Sequence, residues 1–224
     1  MNLAVRLEVG RHHDGLIGSS DPQLASKHRY EDEVCIPSIQ SYCRKWAATE
    51  LILREPREKP YIPATLEGTE LDKIYAFVLK ARIFLTLSDM NFDKVVFFDN
   101  DIQVLSPHYN LWELPTLSGK KVPRYTEIFG KEIGLNFGLV VFDKATVDEF
   151  AELGYELFDE YLSCRNKKLS IAYDEFTLLS HINSTGRVPN FIGYPVSAKN
   201  PQDFLKANGY HTAYFRHWIG TNWV

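Results

Sequence analysis

The stretch VVFFDNDIQVL at residues 95–105 joins a continuously apolar run to an abrupt pair of acids. Val95–Phe98 is apolar and β-prone at every position, which is typical of a strand covered on both faces, as in a parallel sheet. The Asp-Asn-Asp segment at residues 99–101 ends this run, and a second apolar run comes at once after it. Turns seldom separate two such runs by only three acidic or amide residues, so the pattern favours a functional strand end.

Strand and helix patterns alternate on both sides of this stretch. Residues 10–29 show no period and are predicted to form a long loop. The alternation predicts an α/β fold, a three-layer domain that spans residues 1–224 as one unit and has a mostly parallel central sheet. The predicted strands are Leu3–Val9, Leu51–Leu53 and Leu139–Phe142, and the predicted helices cover about Glu33–Trp46, about Leu71–Leu87, a segment opened by a capping box of Thr146 and Glu149, and a segment from near Asp174.

The composition limits the class of protein. The chain has 224 residues, with 25 Lys plus Arg and 29 Asp plus Glu, so its formal charge is −4. A disordered chain would carry far fewer aromatic residues than the 14 Phe, 12 Tyr and 4 Trp found here. An acidic chain without runs of Lys or Arg offers no footprint for a nucleic-acid backbone. No apolar stretch approaches the roughly 18 residues of a membrane span, so we expect no transmembrane segment.

The N-terminus and the cysteines predict a cytoplasmic location. Arg6 and Glu8 interrupt any apolar leader, so a cleaved signal peptide is not expected. The chain has 3 cysteines, and Cys35 and Cys43 fall on one predicted helix, too far apart along its axis for a disulfide. Reduced thiols of this kind are typical of cytoplasmic proteins.

Asp99 and Asp101 are the strongest candidates for a functional site. Two carboxylates at the end of a buried strand are unfavourable unless a positive charge compensates them. Alternate residues of an extended chain point to opposite faces, so a kink at Asn100 is needed to bring the two together. Converged, they would form a hard-oxygen site for Mg²⁺ or Mn²⁺, an ion that also takes phosphate oxygens from a substrate. The alternative is a turn with solvated acids.

The segment FDKVVFFDNDIQVL at residues 92–105 resembles the core of glycosyltransferase family 8, which includes glycogenin and the bacterial lipopolysaccharide galactosyltransferases. The LWEL segment at residues 111–114 is similar to the one that comes next in that family. The resemblance covers about residues 71–220. It implies a Rossmann-like GT-A fold, a nucleotide-diphosphate sugar as donor, and a divalent cation, usually Mn²⁺, held by Asp99 and Asp101.

Two further segments imply donor-binding residues. KARI at residues 80–83 is similar to the Tyr-Ala-Arg-Leu of the galactosyltransferases, which makes Arg82 a donor-binding residue, and a cation near a diphosphate is reasonable on charge. LNFGLVVF at residues 135–142 is similar to a family strand in which Asn136 would contact the donor sugar and Gly138 would permit close backbone approach. Without the family, Arg82 would be a solvated helix charge and Asn136 a turn residue.

The YDEF segment at residues 173–176 resembles the family's Asp-Gln segment. The resemblance implies that Asp174 binds a hydroxyl of the donor sugar and that Glu175, where Gln is usual, lies on the reactive face of the anomeric carbon. A carboxylate there could stabilise an oxocarbenium-like centre or attack it. The alternative for Glu175 is an acid favoured at a helix N-terminus by the macrodipole.

The YFRHWIG segment at residues 214–220 is similar to the family's closing His-Phe/Tyr-x-Gly. The resemblance implies that His217 is the third protein ligand of the metal and that Gly220 approaches the diphosphate. An imidazole with two carboxylates suits Mn²⁺ better than Mg²⁺. The alternative for His217 is an ordinary surface histidine.

The two ends of the resemblance match less well. The Lys that the family usually carries at the diphosphate is missing from residues 221–224, so Arg216, Arg82 or a residue of the long loop would supply that charge. Tyr30 is the candidate for stacking on the uracil base. Asn100, which lies between the two acids, is a further predicted donor-binding residue.

The leading hypothesis is a metal-dependent, retaining glycosyltransferase, a hexosyltransferase that uses UDP-glucose or UDP-galactose and a glycan, lipid or protein acceptor. Retention follows from family analogy alone. One alternative is a non-catalytic nucleotide- or carbohydrate-binding protein on the same fold. Another is a sugar-1-phosphate nucleotidylyltransferase, although the Gly-rich first loop with a basic triplet that marks those enzymes is absent from this sequence.

Overall fold

The computed structural model describes residues 1–8, 28–54, 83–126, 130–151, 184–191 and 214–218. Within these residues the chain forms a mixed α/β structure with a six-stranded sheet and a second, two-stranded sheet. The predicted α/β class is therefore confirmed. Most of the predicted loop and the helix predicted from near Asp174 lie outside the described residues. None of the described helices is long and apolar enough to cross a membrane.

Eight described strands form the two sheets. They are β1 (Asn2–Glu8), β2 (Thr49–Arg54), β3 (Lys94–Phe98), β4 (Ile102–Val104), β5 (Ser118–Thr126), β6 (Gly130–Asp143), β7 (Asn190–Phe191) and β8 (Phe215–His217). The larger sheet has the order β2-β1-β3-β6-β5-β7. β1 pairs in parallel with β2 and β3, and β5 with β7, whereas β6 runs antiparallel to β3 and β5. The sheet is thus parallel around β1, as predicted, with β6 inserted in the opposite direction.

Helices cover both faces of the larger sheet. The described helices include α1 (Ile36–Lys45), which continues a π-helical turn at Glu31–Cys35, α2 (residues 83–88), α3 (residues 144–151) and a short 3-10 helix at Leu111–Glu113. On one face, α2 and α3 contribute Phe84 and Phe150, whose rings stack at 4.9 Å and pack with Phe97 and Phe142 of the sheet. This face buries the larger of the two apolar clusters.

Helix α1 covers the other face. Tyr42 of α1 lies edge-to-face with Phe98 of β3, at 6.2 Å between ring centres, and stacks on Trp112 at 5.5 Å. Val96 and Phe98 of β3 belong to this cluster, whereas Val95 and Phe97 belong to the opposite one. Because both faces of β3 are covered, the strand is apolar at every position, and the predicted three layers are present.

Helix α3 begins differently from the prediction. The backbone N–H of Thr146 donates to Asp143 Oδ1 at 2.8 Å, so Asp143 at the end of β6 caps the helix. Glu149 pairs with Arg187 at 2.6 Å. The predicted capping box of Thr146 and Glu149 is therefore wrong. The strand runs directly into the helix, so the last strand residue supplies the cap and Thr146 falls inside the first turn.

Candidate metal centre

Asp99, Asp101 and His217 come together at the carboxyl end of β3. One ligand atom from each lies within 4.8 Å of the others. His217 Nε2 is 3.1 Å from Asp101 Oδ1 and 3.9 Å from Asp99 Oδ2. The site is recessed, since Asp101 is 9% exposed and His217 4% exposed. The two predicted acids and the predicted imidazole thus converge.

Backbone hydrogen bonds bring these side chains to one place. The N–H of Asp99 donates to the carbonyl of Gly138 at 2.7 Å, which ties the end of β3 to β6. The short strands β4 and β8 pair antiparallel, and the N–H of Trp218 donates to the Asp101 carbonyl at 3.0 Å. The imidazole at the end of β8 is therefore carried to the acidic turn although the two segments are distant in sequence.

Asn100 shapes the turn between the two acids. Its Nδ2 donates to the Leu7 carbonyl at 2.6 Å, and its Oδ1 accepts from Arg6 Nη1 at 2.9 Å. The N–H of Ile102 donates to the Asp99 carbonyl at 3.1 Å, which closes a β-turn. The kink that the sequence required at Asn100 is thus present and is held by β1. The role of Asn100 in donor binding stays a prediction.

Gly138 lies against two of the three candidate ligands, Asp99 and His217. A Cβ atom added there would lie 2.6 Å from Asp99 Oδ2, 2.7 Å from His217 Cε1 and 2.8 Å from Asn136 Oδ1. The N–H of Gly138 donates to Asn136 Oδ1 at 3.1 Å. Glycine is therefore required for close approach rather than for an unusual backbone angle. Asn136 and Gly138, both predicted site residues, adjoin the acidic cluster.

The three side chains fit a divalent cation. Ligand atoms about 2.1 Å from an octahedral ion lie roughly 3–4 Å from one another. The separations of 3.1 and 3.9 Å at His217 fall in this range. Two carboxylates suit Mg²⁺ or Mn²⁺, and the imidazole favours Mn²⁺. The Nε2 atom of His217 faces both carboxylates, from where a neutral imidazole offers its lone pair to an ion.

Tyr30 lies beside β8. Its ring meets Trp218 edge-to-face at 4.9 Å, and Tyr30 Oη and Trp218 Nε1 both donate to Gln103 Oε1, at 3.4 and 3.3 Å. The Arg216 guanidinium lies 5.0 Å from the centre of the Trp218 ring. Burial raises the pKa of the Tyr30 hydroxyl, which therefore remains a hydrogen-bond donor at neutral pH. Trp218 and Gln103 were not among the predicted site residues. Their only signal was adjacency to His217 and to the acidic turn.

Four predicted site residues cannot be placed in this geometry. Arg82, Asp174, Glu175 and Gly220 lie outside the described residues, so their roles stay predictions. The described part of the predicted site therefore consists of the three predicted metal ligands together with the Asn136–Gly138 strand segment.

Several solved structures are similar to this chain. A glycosyltransferase involved in the glycosylation of the major capsid of PBCV-1 has a TM-score of 0.49 and 12% identity, with 96% of this chain and 92% of that chain covered. The apo form of the glycosyltransferase GlyE from Streptococcus pneumoniae TIGR4 has a TM-score of 0.45 and 11% identity, with 100% of this chain and 56% of that chain covered. A197 from STIV has a TM-score of 0.32 and 13% identity, with 66% and 67% covered.

No protein-family model matches the sequence, and no curated protein matches it at a significant level. The TM-scores and identities of the similar structures are too low to assign the chain to a family.

Proposed function

We propose that this chain is a metal-dependent glycosyltransferase of the GT-A type, which moves a sugar from a nucleotide-diphosphate donor to an acceptor. One observation carries the proposal: Asp99, Asp101 and His217, which lie at strand ends, place ligand atoms within 4.8 Å of one another. In α/β sheets, ligands bind outside the carboxyl ends of the strands, which is where this cluster lies. The mixed α/β sheet is compatible with a GT-A-type domain, and membership of glycosyltransferase family 8 is part of the proposal.

The described side chains have distinct roles in this proposal. Asp99, Asp101 and His217 would hold Mn²⁺ or Mg²⁺, which when bound neutralises charge on the leaving nucleoside diphosphate. Asp101 and His217 are largely buried, which strengthens the charge interactions that they make. Gly138 leaves room for the cluster, and Asn136 would present its amide to the donor sugar.

The remaining predicted residues complete the donor site. Arg82 and Gly220 would bind the donor diphosphate, and Asp174 and Glu175 would line the reactive face of the sugar. Tyr30, which packs on an indole next to the candidate metal ligand, would contact the nucleotide base.

The finer identity is also part of the proposal. The reaction would be a retaining hexosyl transfer from UDP-glucose or UDP-galactose to a glycan, lipid or protein, carried out by one domain over residues 1–224. A cytoplasmic location is also part of the proposal, and both described cysteines, Cys35 and Cys43, are buried. Burial raises the pKa of the Cys43 thiol to about 12, so it remains protonated and unreactive at neutral pH.

The test is release of the nucleoside diphosphate from a panel of nucleotide sugars in the presence of Mn²⁺. The wild-type chain should release UDP, and removal of the ion with EDTA should stop the release. Asp101→Asn keeps the shape of the side chain but removes a metal-binding charge, so it should lose nearly all activity. Asp148→Asn, which removes an exposed carboxylate from α3, is the matched control and should retain wild-type activity.

The alternatives give different results in the same assay. Nucleotide binding without turnover of any donor or acceptor would favour the non-catalytic binding protein. A chain that binds neither Mn²⁺ nor any nucleotide would overturn the proposal altogether. Equal activity in the wild type and in Asp101→Asn would also overturn it, because the acidic cluster would then have no role.

A further inference from the structure

Arg6 is a fully buried cation. It lies in β1 opposite Ile52 of β2 and Phe98 of β3, and it is 1% exposed. Its Nε donates to Glu50 Oε1 at 2.5 Å, and its Nη2 lies 3.9 Å from Glu8 Oε1. A buried ion pair is weak evidence for stability, because desolvation offsets most of the attraction. The burial of Arg6 therefore calls for another physical reason.

A further nitrogen of the Arg6 guanidinium contacts the acidic turn, residues 99–101. Nη1 donates to Asn100 Oδ1 at 2.9 Å, while Asn100 Nδ2 donates to the Leu7 carbonyl at 2.6 Å. Two consecutive residues of β1 thus hold both ends of one amide, which cannot rotate without breaking one of the bonds. Because Asn100 lies between Asp99 and Asp101, these two hydrogen bonds anchor the turn that carries both carboxylates.

The charges around Arg6 separate a geometric role from an electrostatic one. Glu8 also pairs with Arg54 at 3.0 Å, so Arg6, Arg54, Glu8 and Glu50 belong to one network of ion pairs among the described residues. Removal of the Arg6 charge makes this network more negative, and its field alone would then strengthen the binding of a nearby cation. Release of the held amide would instead weaken binding. The two roles predict effects of opposite sign.

We propose that Arg6 is a positioning residue that orients the Asp99–Asp101 turn for metal binding through its hydrogen bond to Asn100. It acts on the geometry of the carboxylates and contacts neither the ion nor the donor. The inference rests on the proposed function, in that Asp99, Asp101 and His217 are taken as the metal ligands.

The test measures the binding of Mn²⁺ alone to the full chain by isothermal titration calorimetry. Arg6→Gln should weaken binding by about 10-fold, the effect typical of residues that orient metal ligands. Arg6→Lys keeps the charge but loses the planar fork, so it should also weaken binding. Arg54→Gln removes the same charge from an exposed position, 62% accessible, whose bond is to Glu8. It is the matched control and should bind at least as tightly as the wild type.

A double-mutant cycle isolates the Arg6–Asn100 contact. Asn100→Ala should weaken Mn²⁺ binding by a factor similar to that of Arg6→Gln. The double variant should be no weaker than the more affected single variant, because both substitutions break the same contact. Thermal unfolding without metal shows which variants are folded. If Arg6→Gln does not fold, Arg6→Lys replaces it in the cycle with Asn100→Ala.

The outcomes separate this inference from the proposed function. Folded Arg6 variants that bind Mn²⁺ as tightly as the wild type, or more tightly, would overturn the positioning role while leaving the metal site intact. Independent, fully additive losses in the double variant would overturn it as well. A wild-type chain that does not bind Mn²⁺ would overturn both the positioning role and the proposed function.

Discussion

Two neighbouring strands of the sheet each lead into an acidic residue, and the two acids have different uses. Asp143 ends β6, and Asp99 comes directly after β3, at opposite ends of the antiparallel β3–β6 ladder. Burial alone would raise the pKa of the Asp143 carboxyl, but hydrogen bonds from Thr146 and the charge of Arg187 outweigh it and lower that pKa. Asp99 instead lies close to Asp101 and to the imidazole of His217.

The two acids differ because the chain continues differently after each strand. After Asp143 the chain turns directly into helix α3, whose first N–H groups stabilise the charge of a capping carboxylate. After Asp99 the chain makes a tight turn into β4, so a second carboxylate comes back toward the first, and β8 adds the histidine. The same residue type is therefore structural at one strand end and a candidate ligand at the other.

The largest expected effect comes from closing the space beneath the acidic cluster. Gly138→Ala would place a methyl group 2.6 Å from the Asp99 carboxylate and 2.7 Å from the His217 ring, so these groups must move apart. We expect loss of Mn²⁺ binding and of donor hydrolysis, measured by calorimetry and by UDP release. Wild-type Mn²⁺ affinity in Gly138→Ala would contradict the geometry described for the candidate metal centre.

Gly119→Ala is the matched control for crowding. Its added Cβ would lie 2.5 Å from the Leu139 carbonyl oxygen, so the substitution is as tight as at Gly138 but strains the β5–β6 ladder instead of the acidic cluster. We expect a lower melting temperature with unchanged Mn²⁺ affinity in the folded protein. Equal losses of affinity in the two variants would mean that general destabilisation, and not the site, explains Gly138→Ala.

A smaller effect is expected at the structural acid. Asp143→Ala removes the cap of α3 and should lower the free energy of unfolding by about 1 kcal/mol, measured by urea denaturation. Mn²⁺ affinity should not change, because Asp143 lies at the far end of the ladder. A loss of metal binding in Asp143→Ala would remove the distinction drawn between the two acids.

The pH dependence of that variant should show the smallest effect. The folded-state pKa of Asp143 lies below its ordinary value of 3.8, so the folded protein releases this proton more readily than the unfolded chain. The resulting stability is present above that value and is lost as the pH falls through the folded pKa. The difference in unfolding free energy between wild type and Asp143→Ala should therefore shrink in acid. A difference that grew below pH 3.8 would contradict the lowered pKa.

Local patterns predicted the central elements of the fold. Val95–Phe98 could be assigned to a doubly covered strand because both covering clusters demand apolar side chains, and the acids after it marked the strand end. The direction of β6 could not be predicted, because a continuously apolar run is found in both parallel and antiparallel strands. The cap at Asp143 was missed because the sequence does not show that helix α3 begins without an intervening loop.

Only some of the site residues could be predicted from the sequence. Asp99 and Asp101 could be predicted from their position after a buried strand, but His217 was assigned only through the family resemblance. Arg6 could not be predicted, because a charged residue in an alternating strand ordinarily faces solvent. Its burial depends on contacts with Glu50 of β2 and with Asn100 of the acidic turn. Such contacts between distant segments leave no local pattern in the sequence.

The most direct test of the central claim is the thermal stability of wild type and Asp101→Asn with and without Mn²⁺. If Asp99, Asp101 and His217 hold the ion, Mn²⁺ at 100 times its dissociation constant should stabilise the wild type by about 2.7 kcal/mol. Asp101→Asn should melt at the same temperature with and without Mn²⁺. The same Mn²⁺-dependent rise in both proteins, or no rise in the wild type, would contradict the assignment of the metal centre.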